Sequence, residues 1–511
     1  MTKNFKWLLL VSLSFVACNN NNEEIAIVAN SSDGLALTAG SANFATYVAL
    51  GDSFAAGYCD NALFKTGQAG SYPNVMAQQF ALVGGGAFTT PFMTDDIGGF
   101  STGGIQNSTY TTRLYFNGSA PVNVTGVSGT VFLGTPLTGP FNNMGVPGAK
   151  SFHLIAPGYG TLNPYFGRFA TIPGTTVIAD AMAQKPTFFS LWIGGNDVLG
   201  YATSGGVGVN QTGNLNPSTY GSNDITDPTV FAGVYSGLVT NLTAGGAKGV
   251  VANLPYVNTL PFFITVPTNP VPLNATQVGQ LNPLFGAMNS MLAVAGKTAR
   301  FQTLTVSSTN PLLIADEMLD YDASALYTGG FKQAGYPDLT AEFLGNLYGK
   351  ARHASNATAT KDYILLPARG VIGTTQAGYP ATSNTIGVTF PMPDNTTLTA
   401  SEVALVKTAT DAYNVSIQAI ATAKGLAFVD TKTIMTQLSS STGLSANGFT
   451  LTSTYVTGGA FSLDGVHPSP RGYALIANKF IAAINTTYGS NLKAVDLGLY
   501  RILYPANPLA F

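Results

Sequence analysis

Charged residues are the first thing that this sequence has little of. Only 9% of its 511 residues are Asp, Glu, Lys or Arg, against roughly 25% in an average soluble protein. The 22 basic and 24 acidic residues nearly cancel, which leaves a formal charge of −2. Because a nucleic-acid-binding protein needs a basic patch to neutralise phosphates, the sequence predicts no nucleic-acid partner.

Cysteine and histidine are also scarce. Cys18 and Cys59 are the two cysteines, and His153, His353 and His467 are the three histidines. They lie far apart and lack the ligand spacing of a zinc site, so we expect no metal and no cofactor. Cys59 is predicted to be a small loop or core residue rather than a catalytic thiol.

The first residues are typical of a targeting segment. Lys3 and Lys6 precede an apolar run of about ten residues, which is too short to span a bilayer. The string Phe15-Val16-Ala17-Cys18 then resembles a bacterial lipobox, although Leu is usual where Phe15 stands.

We therefore expect a signal peptide over 1–17, a lipid anchor on Cys18, and a polar tether over 18–42. The protein would then be an extracytoplasmic lipoprotein, on the outer membrane or the cell surface. The alternative is an ordinary signal peptide with an incidental cysteine, which predicts a secreted protein.

Apolar runs predict the secondary structure. Four of them indicate β-strands, over 44–50, 187–193, 249–254 and 426–429. Helical patterns follow these strands or lie between them: 71–82, 230–244, a helix that begins at the Thr399–Glu402 capping box, and 472–484. The alternation predicts an α/β fold with a parallel sheet that is covered on both faces.

Two long stretches interrupt this alternation. Residues 84–140 are rich in Gly, Thr and Asn, which indicates loops or short strands. Residues 259–395 are predicted to form an irregular insertion with a helix broken near Pro283.

Two strings from opposite ends of the chain can supply a nucleophile and its base. Gly51-Asp52-Ser53 follows the first strand, so Ser53 is expected at the carboxyl edge of the sheet, where open α/β sheets bind ligands. In Asp464-Gly465-Val466-His467, His467 can accept a proton from a serine hydroxyl, and Asp464 can orient its ring. The alternative for the second string is a surface turn, in which Asp and Gly are common.

Two further strings can bind an oxyanion. Asn196, in Gly194-Gly195-Asn196-Asp197, follows the second strand and can present its side-chain amide, although a turn or helix cap explains the string as well. Gly148, which ends the string 143–148, can expose its backbone N–H because no side chain obstructs it. Taken alone, 143–148 is predicted to be a loop.

In order and spacing, the four strings together resemble the SGNH or GDSL-type lipase/acylhydrolase family. Phe54 stands where the family name has Leu. The resemblance implies a flavodoxin-like three-layer α/β/α sandwich with a parallel sheet. Its core would comprise 43–258 and 396–487, with 259–395 as an insertion and possible lid and 488–511 as a C-terminal tail.

The resemblance also implies residue roles. Ser53 would be the nucleophile, His467 the general base and Asp464 the residue that orients it. The Ser53 and Gly148 amides and the Asn196 side chain would form the oxyanion hole. The expected activity is cofactor-free hydrolysis of lipid or other acyl esters through an acyl-enzyme on Ser53. Two alternatives remain open, namely a carbohydrate acetyl esterase acting on glycans and a surface lipoprotein that binds a ligand without turnover.

The insertion contributes two sets of candidate residues. The first is apolar enough to line an acyl pocket, although residue type favours an ordinary core: Phe262, Phe263, Leu284, Phe285, Met288 and Met291. The second is an acidic cluster that lacks an EF-hand pattern, so we interpret it as a solvated face rather than a calcium site: Asp316, Glu317, Asp320 and Asp322.

Overall fold

The structure is a computed structural model that describes residues 34–506. The predicted signal peptide and the predicted lipidation site Cys18 lie outside the described residues. Within the described range, no helix combines the length and the apolar character needed to cross a bilayer.

A five-stranded parallel sheet forms the centre of the fold. Its strands are β1 (Tyr47–Gly51), β2 (Asn143–Gly145), β3 (Phe188–Trp192), β4 (Lys248–Ala252) and β5 (Ala427–Val429). The strand order is 2-1-3-4-5, and every neighbouring pair is parallel. This order has a topological switch point between β1 and β3, where doubly wound sheets bind their ligands. The predicted α/β class and its parallel sheet are confirmed.

Helices precede and follow the strands along the chain. The α-helices of the described range are α1 (Ser53–Ala56), α2 (Lys65–Ala69), α3 (Tyr72–Ala81), α4 (Tyr159–Leu162), α5 (Pro164–Gly167), α6 (Val177–Ala183), α7 (Asn196–Thr203), α8 (Pro228–Thr243), α9 (Pro261–Ile264), α10 (Ala275–Val294), α11 (Ser324–Gln333), α12 (Asp338–Tyr348), α13 (Ala400–Ala423), α14 (Thr431–Leu438) and α15 (Pro470–Tyr488). Short 3-10 helices lie at Ser151–Ile155, Pro217–Thr219, Val257–Thr259, Thr358–Thr360, Leu366–Gly370, Ala381–Ser383, Asp394–Thr396 and Leu497–Leu499.

Two-stranded antiparallel ladders complete the secondary structure. They pair Ser101–Thr102 with Ile105–Gln106, Leu114–Phe116 with Pro121–Asn123, Val271–Leu273 with Ser307–Asn310, Leu313–Ala315 with Ala351–His353, Tyr363–Ile364 with Thr397–Leu398, and Leu444–Ala446 with Phe449–Leu451. The first two ladders confirm the short strands predicted within 84–140.

One strand of the sheet contradicts the prediction. Residues 143–148 were expected to form a loop, but Asn143–Gly145 is the edge strand β2 and pairs with Ala49–Gly51 of β1. A three-residue strand that contains Asn and Gly has no apolar run to reveal it. The pairing matters for the site, because it fixes the start of the segment that ends at Gly148.

The insertion is more regular than predicted. Helix α10 runs through Pro283 without a break, so the predicted interruption is wrong. Four apolar side chains of α10 are buried in a second hydrophobic cluster, distinct from the one around the sheet: Leu281, Phe285, Met288 and Leu292. Burial of each contributes about 1.5–3 kcal/mol, and the sum exceeds the cost of about 3 kcal/mol for a proline inside a helix.

Candidate functional site

Ser53 lies at the switch point of the sheet. Strand β1 ends at Gly51, and Ser53 is the first residue of α1. A Cβ at Gly51 would lie 2.5 Å from the carbonyl oxygen of Trp192 in β3, so only glycine allows this close approach. Asp52 caps α1 by accepting the Phe54 N–H at 3.0 Å.

Ser53, His467 and Asp464 form a continuous chain of hydrogen bonds. Nε2 of His467 lies 2.8 Å from Ser53 Oγ, and Nδ1 lies 2.9 Å from Asp464 Oδ2. Ser53 and His467 thus lie in contact, as the sequence predicted, although 414 positions of the polypeptide separate them. The rings of Phe54 and Tyr58 pack at 5.3 and 4.7 Å from the imidazole and limit its movement.

Asp464 is held as a carboxylate by the groups around it. Its Oδ1 accepts the backbone N–H groups of Val466 and His467 at 2.9 and 2.8 Å. Burial alone would raise the pKa of Asp464, but His467 and these amides outweigh it, so the pKa lies below its ordinary value. An ionised Asp464 favours the tautomer that has a proton on Nδ1, and Nε2 is then free to accept the serine proton.

Asp60 and Asn61, which follow α1, hold the segment that carries Asp464 in place. The sequence analysis did not single out these two residues. The Asn61 N–H donates to Asp464 Oδ2 at 3.0 Å. Asp60 Oδ1 accepts the Leu463 N–H at 2.9 Å, and the Asp60 N–H donates to Ser462 Oγ at 3.0 Å. These residues belong to no recognisable motif, and their nearness to Ser53 in the chain was the one available hint.

The three residues of the predicted oxyanion hole line one cleft together with His467. Ser53, Gly148, Asn196 and His467 all contribute to an open cavity of about 420 Å³. Within residues 34–506, the backbone N–H groups of Ser53 and Gly148 form no hydrogen bond. The Asn196 Nδ2 donates to the carbonyl of Ala149 at 2.9 Å. Since a side-chain amide has two N–H groups, one orients Asn196 and the other is left for a ligand.

Asp197 links the two segments that carry Asn196 and Gly148, the predicted oxyanion donors. Its buried carboxylate accepts the Ser151 N–H at 2.8 Å and the Ser151 hydroxyl at 2.7 Å. Asp197 follows Asn196 at the start of α7, and Ser151 lies three residues after Gly148. The bonds therefore fix the separation of the two predicted donors. The sequence places Asp197 next to Asn196 but does not indicate that Ser151 is its partner.

A second, apolar cavity lies beside the cleft. It has a volume of about 80 Å³. Leu199 lines both the cleft and this cavity. The cavity walls come from the sheet edge, α14 and α15, and include Phe54, Trp192, Leu254, Met435, Leu438 and Phe480.

The predicted pocket residues of the insertion lie elsewhere. Phe285 and Met288 are buried in the second hydrophobic cluster, and Leu284 and Met291 pack against it. Phe263 belongs to the main cluster, and Phe262 packs against that cluster. None of the six lines the cleft at Ser53, so the ordinary core interpretation holds for them.

Cys59 and the other two histidines, His153 and His353, have pKa values that do not suit them to act as a nucleophile or a base. Cys59 is buried, and burial raises the pKa of its thiol well above the ordinary value, which leaves it protonated and unreactive. Burial also lowers the pKa of both His153 and His353 to about 4.

The acidic cluster of the insertion is only partly a solvated face. Asp320 is exposed, as predicted, but Asp316 is buried and pairs with the Arg352 guanidinium at 2.5 Å. Glu317 is exposed, but its carboxylate lies close to the carboxylates of Asp394 and Glu402. The predicted solvated face is therefore wrong for Asp316.

The chain matches no protein-family model, no curated protein and no solved structure at a significant level.

Proposed function

We propose that the protein is a serine ester hydrolase. In this proposal Ser53 Oγ attacks the ester carbonyl carbon while His467 takes the hydroxyl proton and then gives it to the departing alcohol. Water next attacks the acyl-enzyme and transfers a proton to His467, which returns it to Ser53 as the acid leaves. Asp464 stabilises the imidazolium that forms in both steps.

The hydrogen-bonded chain from Asp464 through His467 to Ser53 is the observation that carries the proposal. The distances of 2.9 and 2.8 Å lie within the range for proton transfer between a base and its nucleophile. A protein that only binds a ligand has no need to bury a carboxylate in order to orient an imidazole on a serine. The oxyanion side is supported by the amides of Ser53 and Gly148 and by Asn196, all on the same cleft.

Family, layer arrangement and location belong to the same proposal. We infer membership of the SGNH or GDSL-type family from the four sequence strings, and the 2-1-3-4-5 strand order is the flavodoxin-like order that this fold requires. A three-layer sandwich and a lid role for 259–395 stay predictions. So do the lipid anchor on Cys18 and an extracytoplasmic, membrane-anchored location.

The acyl group is proposed to be short or of medium length. The apolar cavity beyond Leu199 has about half the volume of an engineered 150 Å³ cavity that binds benzene, so it accommodates a short chain. The cleft itself carries tyrosines and asparagines, among them Tyr110 and Asn163. That polar lining supports the second candidate, an acetyl esterase acting on a carbohydrate.

Replacement of Ser53 tests the chemistry. Ser53→Ala should abolish hydrolysis of p-nitrophenyl acetate and butyrate, with an unchanged circular dichroism spectrum and melting temperature. Ser190→Ala is a matched control, because it also removes a buried hydroxyl, one that lies 2.7 Å from the Tyr47 hydroxyl and does not line the cleft. Full activity in the Ser53→Ala variant would refute the proposal.

Replacement of Leu199 tests the acyl site. Leu199→Trp enlarges the side chain shared by the cleft and the apolar cavity and should lower kcat/KM for the octanoyl ester about 15-fold, the effect of losing the burial of two methylenes at about 0.8 kcal/mol each. The acetyl ester should change less than twofold. An equal loss on both esters would indicate that the acyl chain does not enter this cavity.

A further inference from the structure

Three carboxylates from distant parts of the chain meet beside the backbone that follows α7. Glu317 follows the strand Leu313–Ala315, Asp394 begins a 3-10 helix, and Glu402 lies in the first turn of α13. One oxygen from each lies within 4.8 Å of the others. Two of these segments belong to the insertion region, and α13 belongs to the sheet domain.

Glu402 presents an unpartnered oxygen to this cluster. Its residue is fully buried, and its Oε2 accepts the Thr399 N–H and hydroxyl at 2.6 and 2.9 Å. Its Oε1 is buried and has no hydrogen-bond partner, and the same holds for Asp394 Oδ1. An isolated buried carboxylate oxygen is costly, so these two atoms require a counter-ion or a proton.

The backbone that follows α7 packs directly against Glu402. A Cβ at Gly206 would lie 1.7 Å from Glu402 Oε1, and a Cβ at Gly205 would lie 2.5 Å from the backbone carbonyl oxygen of Asp394. Both glycines have a positive φ, of +82° at Gly206 and +68° at Gly205. Gly206 therefore lets the chain pass against the Glu402 carboxylate, and Gly205 lets it pass against the backbone of Asp394.

The positive charges nearby do not neutralise the cluster. Lys350 Nζ donates to the backbone carbonyls of Glu317 and Leu319, and the Arg352 guanidinium is held by Asp316 and Asp362. Across the described chain, no Lys, Arg or His forms an ion pair with Glu317, Asp394 or Glu402. Within the described residues, the three carboxyl groups thus face one another without a salt-bridge partner.

We propose that Glu317, Asp394 and Glu402 bind a calcium ion that links the insertion to the sheet domain. Calcium takes carboxylate oxygens at 2.3–2.6 Å, so two of its ligands are separated by at most about 5 Å. The separations here, all within 4.8 Å, are compatible with that limit. Calcium also accepts several carboxylates in a flexible geometry, whereas magnesium demands a near-ideal octahedron and is usually bound by only one or two carboxylates. Water would complete its coordination.

Calorimetric titration of the purified full chain, after removal of divalent ions with EGTA, tests the proposal. We expect one calcium per chain with a Kd between about 10⁻⁴ and 10⁻³ M, the range of weak extracellular sites. Thermal unfolding in 10 mM calcium should give a melting temperature above that of the EGTA-treated protein. Magnesium at the same concentration should give a smaller rise.

Variants locate the site. Glu402→Gln and Glu317→Gln should each lower calcium affinity at least tenfold, whereas Asp320→Asn, an exposed acid of the same segment, should leave it unchanged. In EGTA the Glu402→Gln variant should be at least as stable as the wild type, because a buried amide needs neither a counter-ion nor a proton and its oxygen can still accept from Thr399. If Glu402→Gln does not fold, Glu317→Gln alone decides the matter.

Two outcomes would overturn the proposal. The first is no saturable calcium binding and no change in melting temperature at 10 mM calcium, which would mean that the carboxylates share protons only. The second is calcium binding of undiminished affinity in the Glu317→Gln variant, which would place the ion elsewhere. Neither result bears on ester hydrolysis.

Discussion

Replacement of Asp464 by asparagine tests whether Asp464 orients the ring of His467 or is only a buried polar residue. Both oxygens of Asp464 accept hydrogen bonds: Oδ1 from the Val466 and His467 amides, and Oδ2 from the Asn61 amide and His467 Nδ1. An asparagine has one oxygen and one NH₂ group. Whichever way it is turned, its NH₂ faces N–H donors that the carboxylate had satisfied.

The consequence for His467 follows from that geometry. If the asparagine oxygen takes the position of Oδ1, its NH₂ group faces Nδ1 of His467, which must then act as an acceptor. The single proton of the neutral ring therefore moves from Nδ1 to Nε2, and Nε2 can no longer accept the hydroxyl proton of Ser53. The corresponding Asp-to-Asn substitution in the catalytic triad of a serine protease lowers kcat about 10⁴-fold. The Asn61 N–H also loses its acceptor, which should cost about 1–3 kcal/mol of stability.

The assay is steady-state hydrolysis of p-nitrophenyl butyrate at pH 8, together with urea unfolding of the same samples. Asp464→Asn should lower kcat about 10⁴-fold and change KM little. Asp227→Asn is the matched control, because the Asp227 carboxylate also accepts backbone amides, at the start of α8, and Asp227 does not line the cleft. Its kcat should stay within twofold of the wild type. A kcat for Asp464→Asn within tenfold of the wild type would refute the assigned role.

Two further predictions concern the oxyanion side and the helix cap. Asn196→Ala should lower kcat about 100- to 1,000-fold with little change in KM, since the lost donor acts mainly in the transition state; a change confined to KM would contradict this. Asp52 is buried, and burial raises its pKa to about 7, opposed by the Phe54 amide and by His467. The folded state therefore holds this proton more tightly than the unfolded state, in which the pKa is about 3.9. Its contribution to stability falls as the pH rises from about 4 to 7 and is constant above that. Asp52→Asn should match the wild type in urea unfolding at pH 4 and exceed it at pH 8 by up to about 4 kcal/mol; equal stabilities at pH 8 would contradict the assigned burial cost.

The elements that the sequence predicted well are those with a local signal. Strands β1, β3, β4 and β5 begin and end within three residues of their predicted limits, because each is an apolar run bounded by polar residues or glycine. The Thr399–Glu402 capping box correctly marked the start of α13. The nearness of Ser53 to His467 could be anticipated because carboxyl ends of parallel strands meet at one edge.

What the sequence missed depends on contacts between distant residues. Strand β2 exists because β1 lies beside it, and α10 continues past Pro283 because its apolar face is buried in the insertion. Asn61 reaches Asp464 across 403 positions, with its own φ at +61°. No local pattern specifies such a pairing. The same applies to the Glu317, Asp394 and Glu402 cluster, whose members come from three unrelated segments.

Labelling with a fluorophosphonate reports a nucleophilic serine without assuming a substrate. The purified chain is incubated with the probe, digested, and analysed by peptide mass spectrometry. We expect one adduct per chain, on Ser53, that is absent from Ser53→Ala and forms far more slowly in Asp464→Asn. A wild-type chain that gives no adduct, or an adduct on any other serine, would contradict the assignment of Ser53 as the nucleophile.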